Sequence, residues 1–126
     1  MGIRETGTQI RDCLKNNSQA IGCRENLIRF GKGIPTEAPF VEIYPRPVPG
    51  SDLPRHQICE FYILAGIAGG EESVFDALEM AERCMVALIN SRQFDFKSIQ
   101  YGYDQEYDDI SVAYVVLECQ YSIDSL

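Results

Sequence analysis

The sequence predicts an α+β fold, a mostly antiparallel, mixed sheet with an N-terminal helix and one long amphipathic helix packed on one face. Three observations predict it. Residues 71–92, EESVFDALEMAERCMVALINSR, carry apolar side chains at helical spacing. On either side lie segments that alternate with period two, Gln57–Ile67 before and Ser111–Ile123 after. A short apolar run, Phe40–Tyr44, stands between two prolines.

In the long helix, Val74, Leu78, Ala81, Met85 and Leu88 form the predicted core stripe, widened by Phe75, Cys84 and Ile89. Asp76, Glu79, Glu82 and Arg83 fall opposite, and Glu79 precedes Arg83 by one helical turn. Gly69-Gly70 breaks the preceding segment. Ser73 with Asp76 reads as a capping box, and Glu71 and Glu72 suit the positive helix N-terminus.

Toward the N-terminus, Ile3–Lys15 reads as a weaker helix, with Ile3, Ile10, Cys13 and Leu14 on one face and Asn16-Asn17-Ser18 ending it. Within Ser18–Lys32, Asn26–Phe30 fits either a short strand or the tail of a helix. Pro39 and Pro45 are expected to bound the strand Phe40–Tyr44, because proline cannot donate to a ladder. RPVPGSDLPR then reads as an exposed, semi-rigid arm carrying Arg46 and Arg55. In the second strand Cys59, Phe61, Ile63, Ala65 and Ile67 face one way, and Glu60, Tyr62 and Leu64 the other. Phe94 and Phe96 alternate out of phase with Ile99, Tyr101 and Tyr103, which predicts a bulge near Lys97-Ser98 or two short pieces. Asp104–Asp109 reads as a turn, so the last two strands form a hairpin.

The chain has 126 residues, enough for one domain with its own core. A net charge of −8 argues against a domain that clamps nucleic acid, which needs a basic face. It is compatible with a surface that DNA slides past. No stretch approaches the length of a membrane span, and MGIRETGTQI lacks the apolar centre of a signal peptide. Five cysteines, an odd number without a C-x-x-C, read as reduced core or half-buried thiols, three of them on predicted core faces, rather than a zinc site.

Signatures of catalysis are sparse. The phosphate loop, the nucleophile elbow and the H-E-x-x-H motif are all missing from the sequence. The single histidine, His56, stands beside Arg55 and Pro54, where a solvated ring is expected. Asp104, Glu106 and Asp108 mimic the start of a calcium loop, but Asp109 replaces its glycine and Val115 its glutamate. A plain acidic turn is the better reading. The tyrosines around it, Tyr101, Tyr103, Tyr107 and Tyr114, fit a protein-contact surface and fit ordinary strand positions equally. Subunit contact and simple solvation are likewise both open for Arg46 and Arg55.

The layout resembles the tail-terminator (tail-completion) proteins of long-tailed bacteriophages, the lambda-type minor tail protein family and its Mu-like relatives. The resemblance is carried by the size, the N-terminal helix, PFVEIYP opening a proline-rich arm, HQICEFYILAGI, ALEMAERCMVALIN, and ISVAYVVLECQYSI after an acidic turn. It implies a structural protein that forms a hexameric ring on the head-proximal end of the tail tube. Such a ring ends tube polymerisation and presents the surface that joins the head. The implied partners are further copies of the chain, the tail tube protein and a head-completion or connector protein. DNA would pass through the lumen without specific binding. No membrane, no cofactor and no catalysis are implied, and the implied location is the virion, with assembly in the host cytoplasm. Arg46, Arg55, Tyr101, Tyr103, Asp104, Glu106 and Tyr107 are the candidate contacts. Two other readings stay open: a head–tail connector or neck protein, and a small α+β ligand-binding or regulatory module.

Overall fold

In a computed structural model the chain forms a five-stranded mixed sheet with its helices on one face. The structure describes residues 2–31, 37–48, 56–94, 96–107 and 109–122, with backbone alone for strand residues 56, 57, 97, 104–107, 121 and 122. Helix α1 spans Ile3–Asn16 and is followed by a single helical turn, α2, Ser18–Ile21. A 3-10 turn at Glu25–Leu27 then leads into β1, Ile28–Phe30. Both readings of that stretch were therefore partly right. The remaining elements are β2 (Phe40–Pro47), β3 (His56–Ala68), α3 (Ser73–Ser91), β4 (Phe96–Tyr107) and β5 (Ile110–Ser122).

The strand order is β1-β2-β3-β5-β4, with only the β1–β2 pair parallel. The period-two pattern explains the two central strands. Cys59, Phe61, Ile63 and Ala65 on β3 face the helices and are buried, as are Ala113, Val115, Leu117 and Cys119 on β5. Helix α3 lies across β5, β3 and β4, while α1 covers β1 and β2 and touches α3. Among the described residues no helix is long and apolar enough to cross a membrane.

Four expectations need correction. The strand after Pro39 does not stop at Pro45 but continues through Pro47. β1 pairs only with Val41, Glu42 and Ile43, so β2 becomes an edge beyond that point. Val48 N donates to Ile58 O, and alternation then turns the nitrogens of Pro45 and Pro47 toward that open edge. No ladder bond is lost there. Arg46 accordingly sits in a strand rather than on an arm, and Arg55 lies outside the described residues.

The acidic stretch is not a turn from Asp104. Strand β4 runs to Tyr107, with Gln105, Glu106 and Tyr107 paired to Val112, Ser111 and Ile110. A register shift between Tyr103 and Gln105 absorbs Asp104 and lets the ladder resume. The shift expected near Lys97-Ser98 is also present, between Phe96 and Ser98.

The core stripe of α3 is rotated from the expected one. Ser73, Ala77, Met80, Ala81, Cys84 and Leu88 are buried, while Phe75 is 68% and Ile89 47% exposed. Small residues at Ser73, Ala77, Ala81 and Cys84 let the helix sit close to the sheet beside the buried Met80 and Leu88, and Phe75, Val86 and Ile89 are left to its back. The capping box does not form: Glu72 is the N-cap and makes no side-chain cap bond. Ser73 instead turns inward, bonding to Gly70 O at 3.0 Å and to Ser111 Oγ at 2.7 Å, which ties the start of α3 to β5.

Candidate functional site

The outer face of the sheet, turned away from the helices, gathers more chemistry than any stretch of sequence suggested. Strand register sets its side chains in rows across four strands. One row runs Arg46, Glu60, Glu118, Ser98, and the next runs Tyr44, Tyr62, Val116, Gln100. A third runs Glu42, Leu64, Tyr114, Gly102. Most of these residues, from Tyr44 to Val116, line a shallow groove of about 650 Å³.

Within the groove Arg46 Nη1 donates to Tyr62 Oη at 3.0 Å, and its guanidinium lies 5.7 Å from that ring's centre. Ser98 Oγ donates to Glu118 at 3.2 Å. Glu60 and Glu118 stand directly opposite each other, so like charges share adjacent strands. Beyond Tyr44 and Leu64 the same face closes over. Phe40 is buried with its ring against Gly66, where an added Cβ would stand 2.0 Å from the ring. Glu42 is 1% exposed, with its carboxylate 3.6 Å from Arg29. Among the described residues the groove offers phenols, one guanidinium and one carboxylate, Glu60, on a half-buried apolar floor, with Glu118 next to it in the row. Tyrosine and arginine are residue types enriched at protein interfaces.

The predicted site residues are divided by the fold. Arg46 lies in the groove. Tyr101 and Tyr103 pair with Val115 and Ala113, whose side chains are on the helix side, so both point away from it. Tyr101 is 46% exposed, while Tyr103 Oη is buried without a hydrogen-bond partner among the described residues. Tyr114 lies on the outer face, so the expected tyrosine cluster is split between two faces. The side chains of Asp104, Glu106 and Tyr107 lie outside the described residues, as does Arg55. Tyr44, Tyr62, Leu64 and Val116 were missed as members of one surface. Their parity was legible, but the register that sets Tyr44 beside Tyr62 was not.

A second surface is the back of α3. Phe75, Val86 and Ile89 are its exposed apolar residues, interleaved with Glu79 and Glu82. Their spacing places all five on the side opposite the buried Ala77, Ala81 and Cys84. This surface faces away from the sheet, on the side opposite the tyrosine groove.

All five cysteines are buried thiols, more than the three expected. Burial pushes Cys84 up to about 12, with the nearby Cys23 and Cys13 adding to it. Burial also pushes Cys23 up to about 11, opposed by a backbone hydrogen bond at Val41 and by Arg24. Cys13 and Cys59 are raised for the same first cause. Raised values keep these thiols protonated and poorly nucleophilic.

No known family profile matches the chain, and no curated protein matches it.

Proposed function

We propose that this protein is a structural subunit that assembles head to tail into a closed ring, of the kind that caps a phage tail tube and forms its head-joining surface. One observation carries the reading: unlike contact surfaces lie on opposite sides of a single small domain. The back of α3 is apolar and acidic, with Phe75, Val86 and Ile89 around Glu79 and Glu82. The outer sheet face is tyrosine-rich and grooved. Contacts between identical subunits through non-identical surfaces are heterologous, and a heterologous contact closes into a ring when its rotation permits. An end-capping ring also needs separate surfaces for tube and head, which a domain of this kind can supply from its remaining faces. The acidic balance of −8 suits a lumen crossed by DNA, because repulsion discourages sticking. Cys13, Cys23, Cys59 and Cys84, buried and held protonated, are ill suited to nucleophilic catalysis, which favours a structural role over an enzymatic one.

The test is addition of the purified protein to growing tail tubes, with tube length followed by electron microscopy. Tubes that stop at a defined length and carry a cap at one end support the reading. Tubes that elongate equally with and without the protein refute it. A second reading, a ligand-binding module, draws on the groove around Arg46, Tyr62 and Tyr114. It is favoured instead if a small anionic or aromatic molecule copurifies with the chain.

A further inference from the structure

Helix α1 carries a glycine, Gly7, in its interior, where glycine costs about 1 kcal/mol relative to alanine. The reason is close approach. A Cβ at Gly7 would stand 3.2 Å from the Phe61 ring and 3.4 Å from Phe30. Beside it opens a pocket of about 300 Å³, lined by Ile3, Phe30, Ile43, Tyr44, Pro45 and Phe61, with Arg4 as its one charged lining residue among the described residues. The pocket lies at the β2 edge, where β1 has ended.

The rim is basic in an otherwise acidic chain. Arg4 lines the pocket, and Arg11 follows seven residues on, on the same face of α1. Arg11 lies 5.0 Å from the centre of Phe30, a lining residue, and also contacts Asp12 at 3.3 Å. Glu5 and Asp12 occupy the neighbouring strip of the helix.

The most exposed large apolar residue of the described chain is Phe75, in the first turn of α3. Its surroundings are acidic: Glu71, Glu72, Asp76 and Glu79 are all exposed, and the nearest cation along the helix, Arg83, lies 3.6 Å from Glu79. The chain therefore displays an aromatic knob with an acidic collar and, elsewhere, an aromatic-lined pocket with a basic rim. They complement each other in shape class and in charge.

We propose that Phe75 of one copy seats in the α1–β2 pocket of the next, with Glu72 and Glu79 meeting Arg4 and Arg11. The inference rests on the ring reading and revises its junction: α3 still supplies one half, but the α1–β2 pocket replaces the tyrosine groove as the other, which leaves the groove for tube or head. Such a knob-in-pocket contact joins two different patches, so it propagates from copy to copy. A two-fold pairing of α3 on α3 is disfavoured, because it would press Glu79 and Glu82 against their own copies.

The experiment is light scattering of the full chain, up to millimolar concentration and at low and high salt. Phe75→Ser is compared with the parent, together with Arg4→Glu, Glu72→Arg and the Arg4→Glu/Glu72→Arg double variant. Phe75 and both charges are exposed, so the variants should unfold at the parent's denaturant midpoint, which circular dichroism checks. Phe75→Ser is expected to weaken association about 10- to 100-fold. Each single charge reversal should weaken it less, high salt should mute that effect, and the double variant should recover the parent's affinity. If the parent assembles and Phe75→Ser assembles equally well, the junction is wrong and the ring reading stands. If the parent stays monomeric throughout, both self-docking and ring formation by the chain are overturned.

Discussion

The two faces of the central sheet carry the same strands and the same backbone ladder, yet they are built for different tasks. On the helix side, Cys59, Phe61, Ile63 and Ala65 meet Val115, Leu117 and Ala113 under α3, and every one is sealed from water. On the outer side, Tyr44, Tyr62, Leu64, Tyr114 and Val116 are only half-buried, and charged residues alternate among them. Stability resides in the first face, where apolar area is removed from water and gaps are costly. The second keeps apolar area partly wet and surrounds it with hydrogen-bonding groups, which contributes less to folding.

That contrast can be broken most sharply by truncating one residue on each side. Leu88→Ala, on the buried face of α3, should cost about 2–5 kcal/mol in urea unfolding, and Phe61→Ala on β3 about 3–5. Tyr62→Ala on the outer face should cost less than either, because its ring is already partly solvated. Equal losses on both faces would remove the distinction.

Raising the pH should act on the sealed side through its buried thiols. The folded protein holds Cys84 protonated up to about 12, whereas the unfolded thiol ionises near its ordinary 9.0. Between those values the folded state binds more protons, so stability is full below pH 9 and declines as pH rises above it. The slope for one such thiol is about 1.4 kcal/mol per pH unit. Urea unfolding at pH 8 and pH 10 measures it, with Cys84→Ala as the control that lessens the decline. A pH-independent midpoint would mean that the thiol is not sealed.

A smaller effect is expected from the joint between α3 and β5. Ser73→Ala leaves the buried Ser111 hydroxyl without that partner and should cost about 1–2 kcal/mol. Ser73→Ala/Ser111→Ala should recover part of it, since both polar groups are then gone, and a double-mutant cycle reads the coupling. Smallest of all is Arg46→Ala. Its bond to Tyr62 lies on the exposed side, and the change should move stability by less than about 1 kcal/mol while altering the groove.

Much of this fold could be read directly from residue patterns. The parity of β3 and β5 is so regular that their buried faces follow from alternation alone, and the phase slip between Phe96 and Ile99 announced its bulge. The helix α3 was plain, but its orientation was not. Periodicity found Ala81, Cys84 and Leu88 but also favoured Val74, Phe75, Leu78, Met85 and Ile89, whereas packing on the sheet selected Ser73, Ala77 and Met80. The strand β2 and the end of β4 were misjudged for a shared reason. Proline and clustered acids read as strand breakers, yet both are tolerated where a strand has an open edge or a register shift. The contact surfaces were the least legible. Which tyrosines share a face depends on pairings between strands distant in sequence, and neither the Phe75 knob nor the α1 pocket is local to one segment.

The central claim is that this domain closes into a ring through unlike faces. The most direct measurement is molar mass in solution by light scattering, across protein concentration and salt, with negative-stain images of the same samples. The account predicts closed rings of about six copies, with no larger open polymers at high concentration. A stable two-fold dimer at every concentration would contradict it.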